Sequence, residues 1–311
     1  MRKIIGVGET ILDIIFKNGQ PRRATPGGSV FNGLVTLGRM KKAYPFENDY
    51  QVLFVSDLGQ DSVGKMICDF MEENGIASRF VFLHPESKSA VSLAFLDENN
   101  DADYTFYKDY EMQGLQGGFP EVTSDDLVIF ASFYALNPVL RPSVKSFMNS
   151  AHKAGALIYY DVNFRKTHSY QADYLYPTLI ENYEYCDVLR GSKDDFQALY
   201  EEIDPYKLYR DIISKHVHTF IYTAGAENVI LQTPSYKMSF PIPGIKTVST
   251  IGAGDNFNAG ILYGLHREGI RKKDIPTMKE SQWERIIGYA MKFSAEVCQS
   301  YENYISLPST R

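Results

Sequence analysis

Short apolar runs that alternate with helical patterns constrain the fold of this chain more than any other feature of its sequence. The runs are rich in β-branched and aromatic residues and have the length of buried strands. They are KIIGVG (3–8), QVLFVSD (51–57), DLVIFASF (126–133), ALIYYDV (156–162) and HTFIYTAG (218–225). Helical patterns lie between several of them, the clearest at 61–75. Strands that alternate with helices predict an α/β fold with a doubly wound, mainly parallel sheet flanked by helices.

Two segments break this alternation and predict a small β lid. Residues 88–110 alternate apolar and polar side chains around the turn-rich ENNDAD, which is typical of an antiparallel hairpin. Residues 11–28 contain another extended run with a turn at Asn18-Gly19. We expect the two pieces to form a discontinuous lid that excludes water from a reaction site. Because no Pro/Gly/Ser linker divides the chain, residues 1–311 are predicted to form a single domain.

Charge and cysteine usage exclude several classes of protein. The net charge of −6 disfavours a nucleic acid partner, which favours a basic surface. The apolar residues near the N-terminus are interrupted by Glu9 and Asp13, and no apolar run has the length of a membrane span, so we expect neither a signal peptide nor a membrane partner. Three widely spaced cysteines, an odd number without C-x-x-C spacing, fit a reducing cytoplasmic location.

The stretch STIGAGDNFNAGILYGL (249–265) combines an anion seat with a carboxylate. Gly252, Ala253 and Gly254 precede a helical pattern, and backbone N–H groups at a helix start bind anions. Asp255 would repel a bound phosphate, but as a general base beside these N–H groups it suits phosphoryl transfer. An equally weighted alternative is that Asp255 caps the helix and the glycines only form a turn.

The stretch PGGSVFNGLVTLGRMK (26–41) predicts a second helix start with polar groups. Gly27 and Gly28 lie just ahead of the helix, and Asn32 falls in its first turn. With Asp13 arriving from the end of the first strand region, the amide and carboxylate would suit vicinal hydroxyl groups. Taken alone, an ordinary glycine turn with an asparagine at the helix start is the favoured interpretation.

The segment DVNFRK (161–166) carries Asp161, Asn163 and Arg165 at alternate positions directly after an apolar strand. If the strand continues, all three point the same way at the sheet edge where α/β proteins bind ligands. Arg165 could then hold a phosphate while Asp161 orients it, or the two could form a surface ion pair. The chain has no Walker A, complete G-x-G-x-x-G, H-E-x-x-H or G-x-S-x-G motif, which disfavours a nicotinamide dehydrogenase, a metalloprotease and a serine hydrolase.

Together, four motifs resemble the ribokinase/PfkB family of carbohydrate kinases over nearly the whole chain, in the family's order. They are GGSVFN (27–32), VSDLGQDSVG (55–64), DVNFRK (161–166) and, most specifically, STIGAGDNFNAG (249–260). The resemblance implies a ribokinase-like fold and ATP-dependent phosphorylation of a sugar hydroxyl. It implies a catalytic base and an anion hole, and it implies contacts to the sugar and to the transferring phosphate. Asp255 would be the catalytic base, and Gly252, Ala253 and Gly254 would form the anion hole. The sugar would be bound by Asp13, Gly27, Gly28 and Asn32, and the transferring phosphate by Arg165.

The same resemblance implies a nucleotide side and its ions. Thr223 and Gly225 match the family's T-x-G, and Asn163 and Ser192 are expected to contact ATP. The family's N-x-x-E is replaced by Ser192 and Asp195, which makes Asp195 the candidate ligand for Mg²⁺ bound with ATP. Ser249 stands where the family often has an aspartate that helps bind a monovalent cation, which leaves a need for potassium open.

The opening GETILDI (8–14) resembles fructokinases and 2-keto-3-deoxygluconate kinases more than ribokinases, so fructose is the predicted acceptor. Alternatives are 2-keto-3-deoxygluconate, ribose or a nucleoside as acceptor, or a non-catalytic sugar-binding regulatory protein on the same scaffold. The edge strand of an exposed hairpin has unpaired backbone groups that a second copy of the chain can cover. This feature predicts a homodimer that forms through the lid.

Overall fold

A nine-stranded sheet forms the centre of the protein in a computed structural model that describes residues 1–47, 49–96, 102–108, 115–164 and 166–306. The strands are Arg2–Val7 (β1), Ile11–Lys17 (β2), Gln20–Gly27 (β3), Tyr50–Gly59 (β4), Ile76–His84 (β5), Val91–Leu96 (β6), Ala102–Tyr107 (β7), Leu127–Ala131 (β8), Leu157–Asp161 (β9), Val188–Ser192 (β10), Thr219–Thr223 (β11), Asn228–Gln232 (β12) and Lys237–Pro241 (β13). The α-helices are Ser29–Ala43 (α1), Ser62–Glu73 (α2), Ser132–Leu136 (α3), Arg141–Ala154 (α4), Ala172–Tyr185 (α5), Lys193–Tyr200 (α6), Pro205–Asp211 (α7), Ala253–Arg267 (α8) and Glu280–Cys298 (α9).

The strand order of the central sheet is β13-β12-β11-β10-β9-β8-β1-β4-β5. Neighbouring strands from β11 to β5 in this order are parallel, while β12 and β13 pair antiparallel at one edge. The prediction of a mainly parallel, doubly wound sheet is therefore confirmed. The chain runs outward from β1 on both sides, so the order reverses at the junction of β1 and β8, where α/β sheets form a ligand crevice.

Both faces of the sheet are covered, which explains why its strands read as continuous apolar runs. On β1, Ile4 packs into one buried cluster with Phe31 of α1 and Trp283 of α9, whereas Ile5 packs into a second cluster on the opposite face with Phe147 of α4. In the described part of the chain, no helix is long and apolar enough to cross a lipid bilayer.

A second sheet of four strands, in the order β3-β2-β6-β7, is built from the two segments predicted to form the lid. β2 and β3 form one antiparallel pair, and β6 and β7 form the expected antiparallel hairpin. Parallel pairing of β2 with β6 joins the two segments. This pairing brings Asp13 of β2 opposite Ser92 of β6, at the side of the small sheet that meets the site described next.

Candidate active site

A cavity of about 590 Å³ lies at the carboxyl edge of the central sheet, at the junction of β1 and β8. Segments that are distant in sequence contribute to its walls because the carboxyl ends of parallel strands meet at one edge. The lining residues include Glu9, Asp13, Gly28, Asn32, Lys108, Ser132, Tyr134, Asp161, Asn163, Arg190, Gly252, Gly254, Asp255 and Asn303. Eight of the residues singled out from the sequence are thus brought together: Asp13, Gly28, Asn32, Asp161, Asn163, Gly252, Gly254 and Asp255.

The start of α8 forms one wall of this cavity. Gly252 is the N-cap residue and has φ of 76°, a left-handed conformation that glycine adopts without strain. Asp255 therefore lies in the first turn of the helix rather than at the cap, where the positive end of the helix dipole favours its negative charge. The N–H of Ala253, predicted to face an anion, donates to the carbonyl of Thr250 at 3.2 Å.

Asn32 connects the predicted sugar end of the cavity to the candidate base. Its Nδ2 donates to Asp255 Oδ2 at 2.8 Å, so the first turns of α1 and α8 are held together by one side-chain hydrogen bond. Asn32 is only 5% exposed, and its Oδ1 is buried with no partner among the described residues. A buried acceptor that lacks a donor is costly, so this oxygen is a candidate to receive a ligand hydroxyl.

The small sheet contributes Asp13 to the lining of the cavity. Ser92 Oγ donates to Asp13 Oδ1 across the β2–β6 pair. A Cβ atom at position 27 would lie 2.3 Å from Asp13 Oδ2, so a larger residue at Gly27 would displace the Asp13 carboxylate. Lys108, just after β7, forms a 2.6 Å ion pair with Glu9, which follows β1. This ion pair joins the small sheet to the central sheet at the cavity.

Arg190 is the main site residue that the sequence analysis missed. It lies within β10, is 7% exposed, and donates through Nη1 to Asp161 Oδ1 at 2.9 Å and through Nη2 to Thr223 Oγ1 at 2.7 Å. Burial alone would lower the pKa of Arg190, but the adjacent carboxylate of Asp161 raises it above its ordinary value. The guanidinium also lies beside Gly254, where a Cβ would be 3.3 Å from Nη2. A permanent positive charge therefore borders the predicted anion seat.

Two cavity residues have unusual backbone conformations. Asn163 has φ of 37° and Ser132 has φ of 58°, and both positions lie just beyond the carboxyl ends of their strands. Non-glycine residues in this region of φ carry strain, and such residues cluster at functional sites. Arg165, the predicted phosphate ligand, lies outside the described residues.

Tyr134, which lines the cavity, is held in place by the buried side chains of Asp57 and His84. Its hydroxyl donates to Asp57 Oδ1 at 2.7 Å, and Asp57 Oδ2 lies 3.3 Å from His84 Nε2. Burial raises the pKa of Asp57. These contacts fix the position of Tyr134, which lines the cavity.

The predicted nucleotide-side residues lie on the carboxyl ends of β10 and β11. Thr223 ends β11 and accepts the hydrogen bond from Arg190, while Gly225 begins the turn into β12 with φ of 56°. Ser192 is the N-cap of α6, and its hydroxyl accepts from the N–H of Asp195 at 3.2 Å. The nucleotide contacts assigned to these residues stay predictions.

A comparison with protein-family models decides the family. The model described as "pfkB family carbohydrate kinase" matches residues 1–310. The chain belongs to this family. It is therefore a sugar kinase and a phosphotransferase, as the resemblance implied.

Curated relatives of this carbohydrate kinase carry different substrate names. The aminoimidazole riboside kinase of Salmonella typhimurium is 24% identical over 278 residues, covering 86% of this chain and 82% of the relative. The fructokinase of Vibrio alginolyticus is 21% identical over 290 residues, covering 91% and 90%. The crystal structure of a Vibrio cholerae fructokinase with fructose, ADP and calcium bound superposes with a TM-score of 0.84 at 19% identity, covering 99% of this chain and 96% of that one. The last similarity establishes the shared fold.

The family implies magnesium bound with ATP, for which Asp195 is the ligand predicted from the sequence. Within the described ranges, no three His, Cys, Asp or Glu side chains are grouped as a metal site. Asp195 is 5% exposed, and both its oxygens are engaged: Oδ1 accepts from the N–H of Phe164 at 2.7 Å and Oδ2 from the N–H of Ser192 at 2.6 Å. Burial raises its pKa to about 6. The carboxyl of Asp195 is thus part of the capping box at the start of α6. In this arrangement it does not fit a direct ligand of Mg²⁺, and its metal role stays a prediction.

Proposed function

We propose that the protein transfers the γ-phosphoryl group of ATP to a hydroxyl of a small neutral sugar, with fructose as the first candidate. One observation carries the proposal: Asp255 lies in the first turn of α8, is held by Asn32, and faces a cavity that also contains Asp13 of the small sheet. A base, an anion seat and hydroxyl ligands thus face one enclosed volume. This is the arrangement that phosphoryl transfer to an alcohol requires.

Asp255 serves in this proposal as the general base. Its carboxylate accepts the proton as the acceptor O–H bond breaks, the acceptor oxygen forms a bond to the γ-phosphorus, and the bond from that phosphorus to the ADP oxygen breaks. The N-terminus of α8, with Gly252, Ala253 and Gly254, stabilises the negative charge on the transferring group. For the N–H of Ala253 to contribute, its hydrogen bond to Thr250 must open.

Arg190 supplies the second electrostatic element. Its guanidinium is fixed by Asp161 and Thr223, so little reorganisation is needed when charge develops beside Gly254. Arg165, which lies outside the described residues, is proposed from the sequence as a further cation for the transferring phosphate. Magnesium bound with ATP would neutralise phosphate charge when present.

The charges at the sugar end favour a neutral acceptor. Two cations line the cavity in the described residues, and each already faces a carboxylate: Lys108 pairs with Glu9 and Arg190 with Asp161. A sugar acid such as 2-keto-3-deoxygluconate would compete with these carboxylates. Asp13, Gly27, Gly28 and Asn32 instead offer hydroxyl contacts, and the small sheet acts as a lid that excludes water. Ribose and nucleosides remain the alternative neutral acceptors.

The nucleotide side is assigned to Asn163, Ser192, Thr223 and Gly225. All four lie at or just beyond the carboxyl ends of β9, β10 and β11. Asp195 would act through Ser192, which it holds, rather than as a direct ligand of magnesium. Cys68, Cys186 and Cys298 are unpaired, which fits a reducing cytoplasmic location.

We also propose a homodimer that forms through the lid. β7 is an edge strand of the small sheet and carries Phe106 and Tyr107, which are 49% and 59% exposed. On the neighbouring β6, Phe95 is 41% exposed. Exposed aromatic side chains on an unpaired strand edge favour association. Light scattering coupled to size exclusion should give about twice the chain mass; a monomeric mass at micromolar concentration would remove the dimer from the account.

The experiment that tests the proposed function is an ADP-release assay with ATP and magnesium across fructose, ribose, 2-keto-3-deoxygluconate and adenosine. Turnover with fructose, and little with the sugar acid, is the expected result. Turnover with adenosine or ribose would correct the acceptor but keep the reaction. Thermal stabilisation by a sugar, without ADP release from any acceptor, would favour the non-catalytic regulatory alternative.

A further inference from the structure

Asn256, the residue after the candidate base, joins two backbone segments that are distant in sequence, at Gly252 and at Asn303. Its side chain is fully buried. Nδ2 donates to the carbonyl oxygen of Gly252 and to that of Asn303, each at 2.8 Å. One amide group therefore uses both of its hydrogens to hold two carbonyl oxygens that would repel each other without a donor between them.

The acceptor side of the same amide is also occupied. Thr36 Oγ1 of α1 donates to Asn256 Oδ1, and this hydroxyl oxygen accepts from the N–H of Ile305 at 3.1 Å. The amide of Asn256 thus connects the start of α8, the middle of α1 and the segment 298–305, which we call the C-terminal brace. A buried polar network whose members are all satisfied fixes its elements in one arrangement.

The C-terminal brace contacts the loop before α8 at further points. The carbonyl of Cys298 accepts from the N–H groups of Val248 at 2.8 Å and Ser249 at 3.3 Å. A Cβ at Gly252 would lie 2.5 Å from the carbonyl oxygen of Asn303, so the brace and the loop are in direct backbone contact. Asn303 itself lines the cavity. The position of residues 248–252 is therefore set by the brace as well as by α8.

We propose that Asn256 is a positioning residue for phosphoryl transfer, which acts by locking the loop at Gly252 to the C-terminal brace. The inference rests on the proposed function. If the carbonyls of Gly252 and Asn303 separate, the peptide planes at the start of α8 rotate, and the N–H groups around Gly254 no longer face the transferring group. Asp255 shares this first turn, so its carboxylate moves with it. The acceptor contacts made by Asp13 lie on another element and are unaffected.

The test compares Asn256→Asp with Asn256→Ser. Aspartate has the shape of asparagine and still accepts from Thr36, but it cannot donate to the two carbonyls. Serine can donate to the carbonyl of the residue four positions earlier, which is Gly252. Serine therefore loses the link to Asn303 without adding a charge. We expect kcat to fall at least about thirtyfold in Asn256→Asp and about tenfold in Asn256→Ser, with the acceptor KM changed less than about threefold in both. A role in folding alone would leave the kcat of the folded fraction unchanged.

Asn182→Asp is the matched control. Asn182 is equally buried on α5 and accepts from Arg141 through Oδ1, remote from the cavity. This control should keep kcat within twofold, whatever its thermal midpoint. Normal kcat in both Asn256 variants, measured beside an active wild type, overturns the proposal. If Asn256→Asp fails to fold, a normal kcat for Asn256→Ser and Asn256→Ala overturns it instead, because neither side chain can bridge the carbonyls of Gly252 and Asn303. An inactive wild type contradicts the proposed function, which separates the two failures.

Discussion

Asn32 Nδ2 donates a 2.8 Å hydrogen bond to Asp255 Oδ2, and this contact fixes one oxygen of the candidate base against a residue of α1 that lies 223 positions earlier in the chain. A base that is held by a neutral donor keeps its negative charge and its orientation. The same asparagine leaves Oδ1 buried and without a described partner. Asn32 can therefore orient Asp255 through one atom and an acceptor hydroxyl through the other.

Asn32→Ala should reduce kcat/KM for the acceptor by about tenfold to a hundredfold, equivalent to about 1.4 to 2.8 kcal/mol, because both contacts are lost. Steady-state kinetics with varied acceptor measures this. Ser29→Ala, at a cavity residue without an assigned role, is the control. An unchanged kcat/KM in Asn32→Ala would remove the asparagine from the site.

Arg190 offers a way to separate stability from catalysis. Arg190→Met leaves Asp161 buried without its cation, which should cost about 3 to 5 kcal/mol of unfolding free energy. Adding Asp161→Asn removes the unpaired charge and should recover most of this stability in denaturant titrations. Turnover of the double variant should stay at least about a hundredfold below wild type because the cation beside Gly254 is absent.

Arg141→Met is the control for the loss of a partly buried arginine. Arg141 pairs with Glu181 away from the cavity, so its loss should lower stability and leave kcat unchanged. Recovery of turnover in the Arg190→Met/Asp161→Asn variant would show that the guanidinium has a structural role only.

The ion pair between Lys108 and Glu9 predicts a salt-dependent effect of the small sheet. Both side chains are partly exposed, so the pair should contribute no more than about 1 kcal/mol. Lys108→Met should raise the acceptor KM about twofold to fivefold at low ionic strength, and this difference should shrink at high salt. Lys65→Met removes an exposed ion pair with Asp69 on α2, and it should change neither the acceptor KM nor the dependence of this KM on salt.

His266 predicts how stability depends on pH. Burial first, and the charges of Arg2 and Arg267 next, lower its pKa from 6.5 to about 4. The unfolded chain therefore binds a proton more readily than the folded one between these values. Neutral His266 costs no stability above about pH 7, and the free energy of unfolding falls as the pH drops from 6.5 towards 4, by about 1 to 2 kcal/mol because solvent screens the partly exposed ring.

Denaturant titrations of His266→Gln and wild type at several pH values measure this contribution. The difference in unfolding free energy between the two proteins should be constant above pH 7 and should shift in favour of the glutamine variant below pH 6. Parallel curves down to pH 4 would contradict the assigned shift.

The fold and much of the site followed from the sequence because both depend on local patterns. Apolar runs located five of the seven parallel strands in the described residues, namely β1, β4, β8, β9 and β11. The glycines before α1 and α8 located two helix starts that meet at one sheet edge. Strands β5, β10, β12 and β13 were not predicted; β12 and β13 pair antiparallel at one edge of the sheet, where pairing depends on tertiary contacts.

Arg190 and the C-terminal brace needed the tertiary structure. Arg190 meets Asp161 through the register of β9 with β10, and it meets Thr223 across the neighbouring strand. An arginine in the apolar context VLRGS is a signal that a carboxylate partner must lie nearby, but its identity depends on strand order. Residues 299–306 show no helical or strand pattern, so nothing local predicted their contact with Asn256.

The most direct measurement of the central claim is the rate of ADP release by wild type and by Asp255→Asn, with ATP, magnesium and the preferred acceptor, beside binding isotherms for both ligands. The amide can still contact Asn32 but cannot accept the acceptor proton. We predict that kcat falls by at least about a thousandfold while both dissociation constants change less than about threefold. Turnover of Asp255→Asn near that of wild type would contradict the role of Asp255 as general base.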